Sequence, residues 1–485
     1  MKNILIILLL GVLFFQGCDM EKVEAPEKIT SYNDLVDDLE DAVAKNKMME
    51  ISYPFSSVQG REIPLIFYGD ASDTSRLKML IFGQQHGNEQ SGKEGLKQLV
   101  KQLAEGKLEN ITSNLNLWIL PQLNPDGAEK DKRRNGADYD LNRDHLVLSQ
   151  PETAGLHKLF DKILPEVTLD VHEYSPYSDS WIKYGALKNW DEQLGMVSNP
   201  NVSKEIKEIS KRELLPFMHS KLEDMGFTFH EYILNGPPDM ERLRYSTVDI
   251  SDGRNSFGLM NTFSYLIEGK NGKTSTDNLS HRSSGQYKAV VSFLEFFNEH
   301  HKNVKWVVNK NRKILSGSLR DSVTVMADYK GNGESIELKL KSVSTGEDTI
   351  VTTELYHPEV EALKNIAVPE GYLIPKSEKM ITEFLGSHSI ITSKIPEEYS
   401  VYEYEVKDSS FIVLEELETF VPLLSKSGIN VNIENYLYVP STQLKQNLIV
   451  LAFEPESQNG LVQYPEYRNC LISNGKYLIL RVEKK

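Results

Sequence analysis

The stretch KMLIFGQQHGNE, residues 78–89, joins an apolar run to a histidine and a glutamate three positions apart. The run from Lys78 to Phe82 has the length and composition of a strand buried on both faces. A tight turn after it would let His86 and Glu89 face one point, and an imidazole with a carboxylate is a ligand pair that suits Zn²⁺. Such a pair also arises by chance in a chain with 11 histidines, so its meaning depends on the rest of the sequence.

Three further apolar runs predict buried strands, at residues 115–120, 167–171 and 263–267. His172 directly follows the second run, and Glu268 directly follows the third. A catalytic zinc takes three protein ligands and keeps one position for water, so His86, Glu89 and His172 would form a complete set. Beside them Glu268 could act as general base. Taken singly, His172 fits a histidine satisfied in a core or loop, and Glu268 a salt-bridged strand end.

The alternation of these runs with amphipathic patterns predicts an α/β fold. Helical periodicity occurs at residues 32–44 and 92–103. We therefore expect a mixed, mostly parallel sheet covered by helices on both faces. In such open sheets functional groups gather outside the carboxyl ends of the strands, where His86, His172 and Glu268 would meet.

The pattern changes past about residue 305. Period-two alternation, which predicts antiparallel strands, occurs at residues 322–326, 335–340 and 348–355. A strand, a helix and a strand are then predicted at residues 371–374, 377–385 and 390–395. We expect residues 31–305 to form the catalytic domain and residues 306–485 a separate α+β or β-rich module.

Polar turns lie between the predicted metal ligands. They contain Asn-Pro-Asp-Gly at residues 124–127, Arg133-Arg134-Asn135, and Asp-Leu-Asn-Arg at residues 140–143. The arginines fit a solvated basic loop. The chain has 70 acidic and 54 basic residues, and in that setting guanidinium groups beside a metal are also suited to bind a carboxylate or stabilise an oxyanion.

In this order the motifs resemble the zinc carboxypeptidase family that includes pancreatic carboxypeptidase A. The resemblance covers roughly residues 50–300 and is specific because the motifs occur in combination. It implies one Zn²⁺ per chain, with His86, Glu89 and His172 as ligands. It implies Glu268 as general base and then general acid.

The resemblance also implies roles for four polar residues. Arg133 would polarise the scissile carbonyl, and Asp140 would orient the first histidine. Asn142 and Arg143 would hold the terminal carboxylate of a peptide with a free C-terminus.

The chain departs from the family pattern in places. Glu173 stands where the pancreatic enzymes have a serine. Tyr245 lies near the expected place of the mobile active-site tyrosine, with a poor match around it. Arg254 falls near the region that lines the specificity pocket, where a basic residue would favour an acidic C-terminal side chain, although a surface arginine fits equally well. Residues 371–375 and 453–462 resemble segments of a bacterial subgroup with a long C-terminal extension.

We therefore expect a zinc-dependent metallocarboxypeptidase. Two alternatives stay open: a zinc-dependent deacylase or amidase acting on N-acyl amino acids or peptidoglycan stem peptides, and a catalytically silent lipoprotein that binds peptide or glycan. The net charge of −16 argues against a nucleic-acid partner, because the surface would repel phosphate backbones.

The N-terminus predicts export. The largely apolar run at residues 4–15 follows Lys2 and has signal-peptide length. It ends at Gly17-Cys18, which resembles the bacterial lipobox, in which the cysteine is lipidated. An ordinary signal peptide and an uncleaved anchor are the alternatives.

On the lipobox interpretation, residues 1–17 are a signal peptide, Cys18 carries lipid and residues 18–30 form a tether. The protein would then be a lipid-anchored lipoprotein of the cell envelope, on the periplasmic or cell-surface side of a membrane. Cys470 would be the sole remaining cysteine, which excludes an intrachain disulfide.

Overall fold

The computed structural model describes residues 28–238 and 240–485. The predicted signal peptide, Cys18 and most of the tether lie outside the described residues. Within the described part, no helix combines the length and the apolar character needed to cross a membrane.

An eight-stranded mixed sheet lies at the centre of the predicted catalytic part. Its strands are β1 (Met49–Ser52), β2 (Leu65–Tyr68), β3 (Leu77–Gly83), β4 (Leu115–Leu120), β5 (Val167–Tyr174), β6 (Glu192–Met196), β7 (Phe229–Glu231) and β8 (Phe263–Lys270). They are ordered β1-β2-β4-β3-β5-β8-β6-β7 across the sheet. The β3–β4, β3–β5, β5–β8 and β6–β7 pairs are parallel, and the other three are antiparallel. The predicted mixed, mostly parallel sheet is confirmed.

Five longer helices accompany this sheet: α1 (Tyr32–Val43), α2 (Gln90–Ala104), α3 (Pro151–Ile163), α4 (Leu215–Asp224) and α5 (Leu279–Gly317). Shorter helical segments are Glu109–Thr112, Pro125–Ala128, Leu141–Arg143, Asp179–Tyr184, Lys204–Ile209, Ser210–Leu214 and Gly253–Gly258. Two short strands, Ala186–Lys188 and Leu243–Arg244, lie outside the central sheet.

Strand β3 shows why the central sheet is apolar on both faces. Successive side chains of a strand point to opposite faces. Met79 and Ile81 belong to a core that also contains residues of α1, α2 and α5. Leu80 and Phe82 belong to a second core with residues of α3 and of the C-terminal module. The prediction that helices cover both faces is confirmed, and the module shares in covering the second face.

The C-terminal module is rich in antiparallel strands, as predicted. Its strands are β9 (Ser322–Lys330), β10 (Ile336–Ser342), β11 (Asp348–Thr353), β12 (Tyr356–His357), β13 (Glu359–Ala367), β14 (Gly371–Pro375), β15 (Tyr399–Leu414), β16 (Leu417–Ile429), β17 (Tyr436–Pro440), β18 (Ile472–Ser473) and β19 (Lys476–Lys484). Its longer helices are α6 (Lys379–Ser387), α7 (Gln446–Phe453) and α8 (Pro465–Leu471), and a 3₁₀ turn covers Ile433–Asn435 and another Leu461–Gln463. The largest sheet has the order β16-β15-β19-β14-β17, with β18 paired to β19.

The strand predicted at residues 390–395 is wrong. There Ser393 forms an isolated bridge to Tyr438. The Gln443 side chain accepts from the amide of Ile391 and donates to its carbonyl. The backbone of Ile391 is therefore satisfied by a side chain and not by a neighbouring strand.

Two short pairings join the module to the catalytic part. Strand β10 pairs antiparallel with Ala186–Lys188, and β12 pairs parallel with Leu243–Arg244. Helix α5 runs without a break across residue 305, so the described fold has a continuous helix at the predicted boundary.

Candidate active site

Three buried side chains meet at the carboxyl ends of β3 and β5. The His86 Nδ1 atom lies 2.7 Å from Glu89 Oε1, and His172 Nδ1 lies 2.9 Å from Glu89 Oε2. The two Nδ1 atoms are 3.1 Å apart. One ligand atom from each residue can be chosen so that all lie within 4.8 Å of one another. The structure thus brings together the three residues that the sequence predicts as metal ligands.

A carboxylate fixes the outer nitrogen of each imidazole. Asp140 Oδ1 lies 3.0 Å from His86 Nε2, and Asp170 Oδ2 lies 2.9 Å from His172 Nε2. A carboxylate accepts hydrogen bonds, so each Nε2 carries a proton, and each Nδ1, once it is deprotonated, directs a lone pair inward. Two lone pairs and the Glu89 carboxylate then face one point, and such a set suits a cation. The donor set fits Zn²⁺.

The pKa shifts show that this point favours positive charge. Burial acts to lower the pKa of His172, but Asp170 and Glu89 outweigh it and hold the pKa well above the ordinary value. Burial acts to raise the pKa of Glu89, but His86 and His172 outweigh it and lower that pKa. A metal ion would take the place of the proton that the carboxylates attract to His172.

The turn that carries His86 is braced by the Asn-Pro-Asp-Gly segment. Asn124 Nδ2 donates to the Gln85 carbonyl over 3.0 Å, and Asn124 Oδ1 accepts from the Gly127 amide over 2.9 Å. A Cβ at Gly87 would overlap the backbone of Gly127 and Ala128. Glycine at position 87 is therefore what lets the two turns pack together.

Glu268 is held beside His172 by strand register. In the parallel β5–β8 pair, Glu268 is the partner of His172, so their side chains point to the same face of the sheet. Glu268 is 9% exposed, and its Oε2 atom has no hydrogen-bond partner among the described residues. Burial raises the pKa of this carboxyl to about 7.

Of the two adjacent arginines, Arg133 is the one beside the predicted ligands. Its Nε donates to Asp140 Oδ2 over 3.0 Å, and its Nη1 lies 3.5 Å from Glu89 Oε1. The Arg133 side chain is 47% exposed, so it can reach a molecule that enters from solvent. Arg134 instead donates to the Asp138 carbonyl within its own loop.

Asn142 and Arg143 lie on the 3₁₀ turn after Asp140. Asn142 Oδ1 accepts from the Gly253 amide over 3.0 Å, and Arg143 Nη1 donates to the Asn142 carbonyl over 2.6 Å. Arg143 is exposed. The carboxylates of Asp249, Asp140 and Asp252 lie close enough to interact with it electrostatically.

Sequence reasoning missed a polar chain behind His172. Gln85 Nε2 donates to Asp170 Oδ2 over 2.6 Å, and Gln85 Oε1 lies 2.9 Å from His145 Nε2. Burial lowers the pKa of His145 to about 3, so its imidazole is neutral and Nε2–H donates to Gln85. One signal was available in the sequence, because Asp170 precedes His172 by two positions and so shares its face of the strand.

Arg254 is buried, and not a surface loop residue. It is 2% exposed, its Nη2 donates to Asp252 Oδ2 over 2.9 Å, and its Nε and Nη1 have no partner among the described residues. A Cβ at Gly195 would lie 2.7 Å from Nη1 and 3.4 Å from Leu266 Cβ. Leu266 and Glu268 alternate onto the same face of β8, so the guanidinium of Arg254 lies on that face as well.

Two tyrosines occupy different positions relative to this site. The Arg254 guanidinium carbon lies 5.8 Å from the ring centre of Tyr232, whose hydroxyl also interacts electrostatically with Glu268 and Arg143. Tyr245 is 8% exposed and accepts a hydrogen bond from the Met196 amide over 2.9 Å. Tyr232 is therefore the tyrosine next to the proposed catalytic groups, and Tyr245 is directed into the core.

Glu173, which follows His172, serves the scaffold. Its Oε1 accepts from Arg282 Nε and Nη2 over 2.8 and 2.6 Å, and its Oε2 accepts from the Ser91 amide over 3.1 Å. The buried ion pair with Arg282 connects the end of β5 to α5, and the hydrogen bond from Ser91 connects it to α2. No local sequence pattern indicated these contacts.

Comparisons with known proteins agree with this geometry. The family model for zinc carboxypeptidases matches residues 41–232. Carboxypeptidase 2 of Trichophyton tonsurans is 25% identical over 458 residues, which cover 88% of this chain and 82% of that protein. Carboxypeptidase 2 of Trichophyton equinum is 24% identical over 438 residues, which cover 84% and 79%. Both matches cover more of the chain than the catalytic part does, so the sequence similarity continues into the C-terminal module.

The solved structure of a metallo-carboxypeptidase from Pseudomonas aeruginosa is also similar, with a TM-score of 0.43 and 19% identity over 56% of this chain and 70% of that chain. The predicted resemblance to the zinc carboxypeptidases is confirmed by the family match. The family match and the carboxypeptidase relatives together support a zinc peptidase of the metallocarboxypeptidase type.

The Asp170–His172 hydrogen bond leads to a prediction about metal affinity. In Asp170→Asn, the carboxylate that fixes the His172 ring is lost, and we expect zinc affinity to fall about 10–100-fold. Competition with a fluorescent zinc chelator measures this. Asp408→Asn, which changes an exposed carboxylate on strand β15, is the control, and equal affinities for the two variants would contradict the assignment.

Proposed function

We propose that this protein is a zinc-dependent carboxypeptidase that removes the last residue of peptides with a free C-terminus, with Glu268 as general base and then general acid. The proposal draws its main support from the register of Glu268 with His172, which sets a carboxylate with an unpaired oxygen beside the predicted ligands. His86, Glu89 and His172 would hold the ion. Bound zinc lowers the pKa of water and polarises a carbonyl.

In the proposed reaction, Glu268 accepts a proton from the attacking water while the water oxygen bonds to the scissile carbonyl carbon. Glu268 then gives that proton to the leaving nitrogen as the carbon–nitrogen bond breaks. Arg133, which is half-exposed beside Asp140, would donate hydrogen bonds to the carbonyl oxygen as negative charge develops there.

Asn142 and Arg143 would bind the terminal carboxylate of the substrate. The exposed guanidinium of Arg143 is suited to bidentate contact with a carboxylate. Electrostatic selection of a terminal carboxylate would direct hydrolysis to the last peptide bond, which is what distinguishes a carboxypeptidase from an endopeptidase.

The role of Glu268 is tested by Glu268→Gln, which keeps the shape of the side chain and removes the base. We expect kcat on a C-terminal peptide substrate to fall about 10²–10⁴-fold, with zinc affinity retained. A chelator should abolish wild-type activity, and added zinc should restore it.

Glu192→Gln is the matched control. Glu192 is a buried carboxyl on the neighbouring strand β6, and burial holds its pKa well above the ordinary value. Wild-type turnover by Glu268→Gln, or equal turnover with and without chelator, would contradict the proposal. Cleavage of N-acyl amino acids or muropeptides without cleavage of any peptide would favour the deacylase or amidase alternative.

We further propose that Arg254 gives the enzyme a preference for an acidic C-terminal side chain. A buried guanidinium with two donor atoms that lack a partner among the described residues carries a desolvation cost, which a substrate carboxylate would offset. Its position on the same face of the sheet as Glu268 supports this. Asp252 already pairs with Nη2, so a substrate that has an amide in place of the carboxylate would leave the other donors of Arg254 without an anionic acceptor.

This preference is tested with paired peptides that differ only in a terminal Glu or Gln. We expect wild-type kcat/KM to be at least about tenfold higher for the Glu peptide, because an ion pair replaces a neutral contact. In Arg254→Met the ratio should fall to about one. Equal rates for the two peptides with the wild-type enzyme would exclude the preference whether or not the variant folds.

The proposal of lipid attachment at Cys18 depends on the sequence alone, since Cys18 lies outside the described residues. In a bacterial host, we expect wild-type protein to incorporate labelled fatty acid and to sediment with membranes, and Cys18→Ala to do neither. Cys470→Ala, which changes the half-buried cysteine of the module, is the control. Labelling that survives Cys18→Ala would contradict the lipobox interpretation.

A further inference from the structure

The hairpin of β15 and β16 has an unusual turn. Leu414 pairs with Leu417, so Glu415 and Glu416 form a two-residue turn, with φ of +49° and +65°. Turns with positive φ at both positions favour Asn-Gly or Gly-Gly, and other residues there are strained by roughly 1–2 kcal/mol each. Two glutamates at such a turn suggest that their side chains make contacts that offset the strain.

Glu415 makes those contacts with the catalytic part. It is 4% exposed, and its Oε1 accepts a hydrogen bond from the Val248 amide over 2.9 Å. Its Oε2 accepts from Thr247 Oγ1, and its Oε1 lies 3.4 Å from Arg244 Nη1. A buried side chain of the module thus accepts the hydrogen bond of the Val248 amide, which belongs to a loop of the catalytic part.

Glu416 and Asp328 hold the residues just before this loop. Arg242 makes a bidentate contact with Asp328, over 2.9 and 3.1 Å, and also an ion pair with Glu416. Glu416 Oε2 in addition accepts from Arg244 Nε over 2.7 Å. Together with the pairing of Leu243–Arg244 to β12, these contacts hold both ends of residues 242–248 against the module.

The same segment continues into the groups proposed to bind substrate. Asp249, one residue after Val248, accepts from the Ser251 amide and hydroxyl and lies near Arg143. Asp252 is the ion-pair partner of Arg254. Residues 249–254 follow directly on residues 242–248, so the anchoring of the first segment contributes to the position of the second.

We propose that Glu415 of the C-terminal module is a positioning residue for substrate binding: by holding the Val248 amide it fixes the loop of residues 242–252 against Arg143 and Arg254. This inference rests on the proposed role of those arginines. Since the loop faces the arginines and not the predicted metal ligands, its displacement should raise KM much more than it lowers kcat, and should leave zinc affinity unchanged.

The test compares Glu415→Ala with Glu415→Gln in the full-length, zinc-loaded protein. In Glu415→Ala we expect KM for a peptide substrate to rise about tenfold, with kcat within about twofold of wild type, because the buried Val248 amide loses its hydrogen-bond acceptor. In Glu415→Gln the amide oxygen still accepts from Val248, so KM should stay close to wild type. Glu418→Ala, an exposed change on the same hairpin, is the control.

Hydrogen exchange tests the anchor independently of catalysis. Amides of residues 242–252 should exchange at least about tenfold faster in Glu415→Ala than in Glu418→Ala, while amides of β3 and β5 stay equally protected. A wild-type enzyme that cleaves no peptide would refute the proposed function, and the exchange result would still decide the anchor.

Unchanged KM together with unchanged exchange in Glu415→Ala would overturn the inference. If Glu415→Ala does not fold, Glu416→Ala decides. Glu416 is partly exposed and bonds Arg242 and Arg244, so its loss should speed exchange at residues 242–244 and raise KM. Values equal to those of Glu418→Ala would then refute the anchoring role.

Discussion

Two hydrogen bonds from carboxylates to imidazoles determine how this active site is built. Asp140 and Asp170 each accept from the outer nitrogen of a histidine, so the inner nitrogens of His86 and His172 present lone pairs to the Glu89 carboxylate. Such a group is electrostatically unstable without positive charge at its centre. The remaining structure serves this requirement, since the turns, the strand ends and the chain from Gln85 to His145 all hold these five side chains in place.

The central sheet brings these side chains together because its middle strands are parallel. Carboxyl ends of parallel strands lie at one edge, so the turn after β3 and the last residues of β5 and β8 meet there. Register then sets a finer position. Glu268 and His172 are partners across two strands about 4.8 Å apart, so the proposed base lies one strand spacing from a predicted ligand. A slip of one residue would turn Glu268 to the opposite face.

The sequence was informative where chemistry follows directly on an apolar run. His86, His172 and Glu268 stand out because a polar residue ends a buried strand, and the position is predictable from strand polarity. Asp170 gives no such signal, because it lies inside an apolar run and β5 continues past it to Tyr174. The contact between Glu415 and Val248 joins residues 167 positions apart and leaves no periodic signal. Local pattern thus predicts the groups at strand ends and not the long-range contacts that hold them.

The C-terminal module is part of the physical environment of the site and not a separate attachment to it. Phe82 of β3 shares a core with Phe384 and Phe453 of the module, and the chain leaves that core four residues before His86. Removing the module would expose this apolar face of the sheet, at a cost that scales with the area uncovered. The module therefore acts on the site from two directions: beneath β3, where it covers the strand that leads to the first predicted ligand, and at Val248, where a buried carboxylate holds the loop beside the arginines. An acidic chain that gathers buried and exposed guanidinium groups at one place needs contacts that hold them there. Arg254 must stay close to Asp252, and Arg143 close to Asp249, while both arginines stay available to a substrate carboxylate.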